Sequence, residues 1–362
     1  MKIVVAPDSY KGCLKAHDVA SSMASGISAF FGNTDIALIP ASDGGDGMLD
    51  ALGCNMNLEY VSVKCHDALL RPIISKIGIS GDTAIIEAAQ ANGIDLIGEH
   101  ERDIMRASSY GVGELIIAAL NHSCKKIIIG LGGSATNDAG VGMMCAMGMK
   151  KDGTKYDISS VDNRLSCTEL IIACDVENPL LGSNGATKVY GRQKGASGQQ
   201  LDLLEAQIAE YARMVYDIVK HDYTECHGAG AAGGIAFSLL ALCGAQIRSG
   251  AQVWMELSNF ANKIKNADYV ITGEGKSDKQ TLMGKLAYHV LQVCKSQSIP
   301  CLLVSGAVEG VNELLNVGFA EVVGVSPSQI PLEISLRPEV ARENIKFVTT
   351  RLFESLSTGG IH

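Results

Sequence analysis

The sequence predicts an α/β fold with largely parallel sheet, and three observations carry that prediction. Short β-branched runs alternate with segments of helical periodicity. Several of those runs end in a Gly- or Pro-rich turn that contains a carboxylate, at the end of the strand where open parallel sheets bind ligands. Glycine is in excess, 40 of 362 residues against a usual ~7%, and without a collagen period. A chain of this length predicts about two domains.

In chain order, the strands fall at 2–6, 35–39, 84–87, 126–130, 170–174, 268–272, 300–305 and 321–325. Between the first two, Val19, Met23, Ile27 and Phe30 line one helical face, and Gly32-Asn33 stops that helix. Leu201, Leu204, Ile208, Tyr211, Val215 and Ile218 form the cleanest helical stripe, read as core packing. The stretch 228–247 carries no charge over 20 residues, long enough to span a bilayer. Its opening GAGAAGG and its Ser238, Cys243 and Gln246 instead predict a buried helix entered through a glycine loop. Trp254 is read as core. The strand–helix units at the two ends resemble each other more than the middle, which suggests one domain inserted into another.

Composition excludes several classes. With 30 Lys+Arg against 39 Asp+Glu the net charge is −9, so nucleic acid and anionic membrane surfaces have no bulk attraction for the chain. Aromatics at 5% argue against base-stacking platforms. The 11 cysteines contain no C-x-x-C pair and are read as buried free thiols in a reducing cytoplasm, with no structural zinc site. The N-terminal apolar run is cut off by Pro7 and Asp8, too early for a signal peptide.

Five turns carry the chemistry: 7–12 (PDSYKG), 42–47 (SDGGDG), 131–138 (LGGSATND), 175–179 (DVENP) and 273–278 (GEGKSD). Glycine turns and helix starts bare N–H groups that bind phosphate. Carboxylates beside a polyphosphate would repel it unless a metal lay between, and Mg²⁺ commonly bridges acids to phosphate oxygens. Acids among anion cradles therefore point to Mg-nucleotide chemistry.

Standard motifs fit less well. Gly275-Lys276-Ser277 is the tail of a Walker A loop, but position 270 is Val. The segment 228–233 matches G-x-G-x-x-G yet follows a polar stretch. The segment 130–135 matches G-x-G-x-x-A after a true strand, with Asp152 where a ribose-binding acid would sit. That is the case for the alternative, an NAD-dependent oxidoreductase acting on a small hydroxy acid, although 134–138 is more polar than such a turn needs. A non-catalytic ligand sensor is the third reading. No G-x-S-x-G elbow or H-E-x-x-H occurs.

Eight blocks in one order resemble the class II glycerate kinase family: APDSYKGCL (6–14), SDGGDG (42–47), SYGVGELI (109–116), GLGGSATNDAG (130–140), ACDVENPLLG (173–182), YGRQKGA (190–196), GAGAAGG (228–234) and ITGEGKSDKQTLMGK (271–285). The resemblance implies ATP- and Mg²⁺-dependent phosphorylation of D-glycerate, with 2-phosphoglycerate the favoured product. It also implies a flavodoxin-like α/β domain (1–68 and 266–362) interrupted by a second α/β domain (69–265), with the active site in the cleft between them. This chain departs from the family pattern at Cys13, Met48, Arg192 and Lys279.

On this reading Gly132, Gly133, Ser134 and Thr136 cradle ATP phosphates at the start of a helix over 138–148, with Lys194, Gly230 and Lys285 also on the nucleotide. Asp175 and Glu274 approach Mg²⁺. One of Asp43, Asp138 and Asp175 takes the hydroxyl proton. Asp8, Ser9, Lys11 and Asp278 serve the substrate, and Lys11, Lys194 and Lys285 are candidates for its carboxylate and for the transferring phosphoryl group. The plainer alternative for Asp43 and Asp138 is helix N-capping.

Overall fold

The computed structural model describes residues 1–153, 155–327 and 330–358. Its main strands are β1 (Lys2–Val5), β2 (Asp35–Leu38), β3 (Glu59–His66), β4 (Pro72–Ser80), β5 (Thr83–Glu87), β6 (Lys126–Gly130), β7 (Glu169–Ala173), β8 (Gln246–Arg248), β9 (Tyr269–Thr272), β10 (Cys301–Ser305) and β11 (Glu321–Gly324). All eight expected strands are present. Two compact units result. The first comprises Met1–Asp43, Asp50–Met56 and the chain from Ala251 onward; the second comprises Gly44–Leu49 and Asn57–Gly250.

The first unit holds a five-stranded sheet, all parallel, in the order β2-β1-β9-β10-β11. Numbered within the unit, that is the 2-1-3-4-5 order of flavodoxin-like sheets, whose switch point lies between β1 and the next strand, here β9. Ile3, Val4 and Val5 are wholly buried, as expected of a strand covered on both faces. The helix Ala16–Phe31 buries Val19, Met23 and Ile27 and ends at Gly32 with φ 67°, a left-handed φ that glycine adopts without strain. It packs on the helix Pro338–Ser357 so closely that a Cβ on Gly26 would lie 2.5 Å from the Lys346 carbonyl. Trp254 is buried and donates from its ring nitrogen to the Pro40 carbonyl at 3.1 Å.

The second unit holds a six-stranded sheet in the order β8-β7-β6-β5-β4-β3. Strands β5 to β8 are parallel, and β3 and β4 add an antiparallel edge. This edge was not expected from the sequence. Of β3 only Val63 and Cys65 are buried, so its apolar signal is half that of a central strand. Because β3 and β4 join this sheet, the units part at 56/57, upstream of the 68/69 boundary expected. The last division, at 250/251 where 265/266 was expected, gives Trp254 and its bond to Pro40 to the first unit.

The long helix Gly198–Val219 buries the expected stripe from Leu201 to Val215; Ile218, at the helix end, is exposed. The uncharged stretch 228–247 forms the helix Ala231–Cys243, entered through left-handed Ala232, Gly233 and Gly234. Among the described residues no helix is long and apolar enough to cross a membrane. The cysteines are free, but Cys54 and Cys167 are exposed, so burial is not general.

Candidate active site

In the first unit the candidate groups gather at the carboxyl ends of β1, β2 and β9. Past β1 and β9 the two chains run side by side: Ala6 N–H donates to the Ile271 carbonyl at 2.7 Å and Asp8 N–H to the Gly273 carbonyl at 2.8 Å. Any Cβ at Gly273 would fall 1.7 Å from the Val304 carbonyl, so only glycine fits this crossing. Asp8 is 7% exposed and accepts from Ser9 N–H at 2.6 Å. Burial, then the charges of Asp43 and Glu274, push its carboxyl up to about 8; Lys11 and the Ser9 N–H offset this only in part. Lys11 Nζ sits 3.0 Å from Asp43 Oδ2.

Glu274 is tightly engaged. Its Oε1 accepts from Ser277 Oγ at 3.0 Å and Thr281 Oγ1 at 2.6 Å, and its Oε2 lies 3.3 Å from Lys285 Nζ. Asp278 caps the 3₁₀ helix Lys279–Met283 by accepting from Gln280 N–H at 2.8 Å. Asp8, Lys11, Asp43, Glu274 and Lys285 thus share one neighbourhood at the switch point, where doubly wound sheets bind their ligands. Asp278 has a capping duty of its own.

In the second unit the loop after β6 carries the other set. Gly133 has φ 72°, and a Cβ on Gly132 would lie 2.4 Å from Gly45 Cα, so backbone meets backbone there. Ala135 N–H donates to the Asn92 carbonyl at 2.7 Å and Ile94 N–H to the Gly133 carbonyl at 2.8 Å, which pins the loop at both sides. Lys194 is 4% exposed. Its Nζ donates to Ser134 Oγ at 2.9 Å and to the Thr136 carbonyl at 2.8 Å, both uncharged, and among the described residues it makes no ion pair. Burial pulls this ammonium down to about 8, with Asp138 pulling weakly the other way. A buried cation without a counter-charge is costly, and an anion beside Ser134 would relieve it.

Other expected members of this set are placed differently. Thr136 is wholly buried and its hydroxyl accepts from Asn92 Nδ2 at 3.0 Å, so it braces the loop. Asp138 accepts four hydrogen bonds, from Ser109 N–H and Oγ–H at 2.9 Å each, Gly142 N–H at 3.0 Å and Gly140 N–H at 3.1 Å. A carboxylate offers about four acceptor sites, so Asp138 ties together the starts of the helices Tyr110–Asn121 and Val141–Ala146, the N-capping alternative. The helix expected over 138–148 runs only over Val141–Ala146, because Ala139 and Gly140 take left-handed φ. Gly230 packs on the 175–179 turn: its N–H donates to the Asn178 carbonyl at 2.9 Å, and a Cβ would meet the Pro179 carbonyl at 2.3 Å. Asp152 lies on a small hairpin, Lys150–Asp152 with Lys155–Asp157. It does not end a strand beside β6, so the ribose acid of the dinucleotide reading is missing.

Sequence reasoning missed Glu87. It is 1% exposed, accepts from Gly47 N–H at 3.0 Å and Leu49 N–H at 3.1 Å, and so fastens the 44–49 segment to the end of β5. Burial and the Asp46 side chain push its carboxyl up to about 7. The signal was an acid closing a strand, as in the five turns, but Ala-Ala-Gln follows it where they have glycine or proline.

The acids suit magnesium unequally. Asp175 is exposed and accepts from Gly250 N–H at Oδ1, 3.0 Å, an arrangement that suits a hard cation. Glu274 fits poorly as a direct ligand, since two hydroxyls and an ammonium already occupy its oxygens. Among the described residues no cluster of three or more His, Cys, Asp or Glu could form a full metal cage. Mg²⁺ does not need one, because phosphate oxygens complete its shell.

A family model described as the glycerate kinase family matches residues 3–357. The chain is therefore a phosphotransferase, of the class whose fold and switch-point acids have just been described. It belongs to the glycerate kinase family, as the eight sequence blocks imply. It is 36% identical to a glycerate 2-kinase of Escherichia coli K12, over 99% of each chain, and 36% identical to a glycerate kinase of Bacillus subtilis 168, over 92% of each. A solved structure from Salmonella typhimurium LT2, described as a glycerate kinase 2, superposes with a TM-score of 0.82 at 34% identity, covering 99% of both chains.

Proposed function

We propose that this enzyme transfers the terminal phosphoryl group of Mg-ATP to D-glycerate and yields 2-phosphoglycerate. The observation that carries the reading is Lys194: a buried ammonium whose two acceptors are both neutral, set on a glycine loop at the carboxyl end of a parallel strand. That is an environment in want of an anion, and it supports polyphosphate at Gly132, Gly133 and Ser134.

The first unit then serves the acceptor. With its carboxyl raised to about 8, Asp8 is protonated at neutral pH and offers an O–H to the glycerate carboxylate where an ionised acid would repel it. Ser9 and Lys11 complete that contact. Asp43, ion-paired to Lys11, takes the proton of the attacking hydroxyl. Lys285, steadied by Glu274, supplies a cation of the kind that stabilises charge developing in phosphoryl transfer. Asp175 would hold Mg²⁺ together with phosphate oxygens, and the ion would neutralise polyphosphate charge. All eleven cysteines are free thiols, which supports a reducing compartment, and we place the enzyme in the cytoplasm.

Incubating the protein with Mg-ATP and D-glycerate should release ADP in step with a product that enolase consumes, since enolase takes only the 2-isomer. ADP release with a product inert to enolase would reassign the phosphorylated hydroxyl. Reduction of NAD in place of ADP release would replace the reading with the oxidoreductase alternative.

A further inference from the structure

We infer that the second unit holds a purine nucleoside pocket beside the Gly132–Ser134 loop, which takes the base and ribose of the phosphoryl donor. The inference rests on the nucleotide-dependent reading above. A cavity of about 600 Å³ opens there, within the ~300–1,000 Å³ usual for small-molecule sites. Asn137 and Asp138, the direct continuation of the loop, line it together with Val141, Tyr156, Ile208 and Tyr211. Only two residues lie between Ser134 and Asn137, at most about 10 Å of extended chain, which is the order of the span between a base and the phosphates on its own ribose.

The walls suit a base and do not suit glycerate, which is small, anionic and polar throughout. Val141 and Ile208 offer aliphatic surface. The Tyr156 and Tyr211 rings meet edge to face at 5.1 Å. One polar group in the lining lacks a partner. Asn137 is 1% exposed, its Nδ2 donates to Thr187 Oγ1 at 3.0 Å, and its Oδ1 has no hydrogen-bond partner among the described residues. Buried acceptors are nearly always satisfied, and an exocyclic amino group or a ribose hydroxyl is a donor of the kind this one lacks. Glu210 and Lys151 add a further acceptor and donor to the same lining.

The test fills the cavity. Gln207 lines it from an exposed helical position, so Gln207→Trp should fold, and Val141→Trp intrudes more deeply. On the full chain, calorimetry with Mg-ADP and with inorganic tripolyphosphate should show ADP binding weakened at least 10-fold by either variant and tripolyphosphate binding unchanged. Unaltered ADP affinity in both variants would overturn the pocket, as would tripolyphosphate binding the parent as tightly as ADP. If the parent turns over Mg-ATP and Gln207→Trp leaves the KM for ATP as it was, the pocket fails and the kinase reading stands. If the parent neither binds ADP nor turns over ATP, both fall.

Discussion

In the first unit Asp8, Asp43 and Glu274 crowd round Lys11 and Lys285, and burial, aided by the neighbouring negative charges, drives one carboxyl, Asp8, into its neutral form near pH 7. In the second unit a lone buried ammonium, Lys194, rests on a hydroxyl and a carbonyl, and burial loosens its proton. One region manages excess anion by holding a proton, the other manages excess cation by being ready to release one. The same physical term, desolvation of the charged form, acts in both. On the proposed function, substrates of different charge density would resolve the two differently: a polyphosphate would restore the Lys194 proton, whereas a carboxylate would accept a hydrogen bond from protonated Asp8.

Several measurements can break or sharpen this contrast. Lys194→Met should lower kcat/KM for ATP by roughly 10²–10³-fold with the circular dichroism spectrum unchanged; a loss confined to glycerate would reverse the assignment of the two regions. Asp175→Asn should cut turnover by about 10²-fold, and steady-state kinetics that show none would remove it from the site. Ser134→Ala should raise the KM for ATP several-fold and leave that for glycerate in place. The KM for glycerate should climb as pH passes about 8, where Asp8 ionises, and Asp8→Asn should flatten that climb.

The smallest effect is in stability, and the two regions bend it in opposite directions. Between the ordinary 3.8 and about 8, folded Asp8 keeps a proton that the unfolded chain has released, so its contribution falls as pH rises through that window. Between about 8 and 10.5, the unfolded chain keeps a lysine proton that folded Lys194 has released, so that contribution grows with pH. At ~1.4 kcal/mol per unit, the width of each window bounds its contribution, and the Asp8 window is the wider. Urea midpoints taken across pH for the parent, Asp8→Asn and Lys194→Met should separate them.

The central parallel strands were legible because they are short β-branched runs buried on both faces, as Ile127, Ile128 and Ile129 of β6 are, whereas β8, parallel to β7 but only three residues long and with none of them buried, was not expected. The antiparallel edge was not, since β3 exposes most of its length and leaves periodicity little to work on. The acid-bearing turns were equally plain in the sequence, but duties within them were not. Asp138 and Asp175 look alike as letters; one is saturated by four donors and the other is exposed, a distinction made by folds of the chain 29 and 75 residues away. Glu87 escaped notice because its partners, Gly47 and Leu49, lie 40 and 38 residues before it.

Where Gly132 meets Gly45 there is no room for even one methyl group on the 132 side. Two stretches of main chain, distant in the sequence, are therefore tied together, because position 132 cannot acquire a side chain unless the backbone at 45 retreats. Arg192 and Lys279, both exposed to solvent, have the space to vary that this crossing lacks.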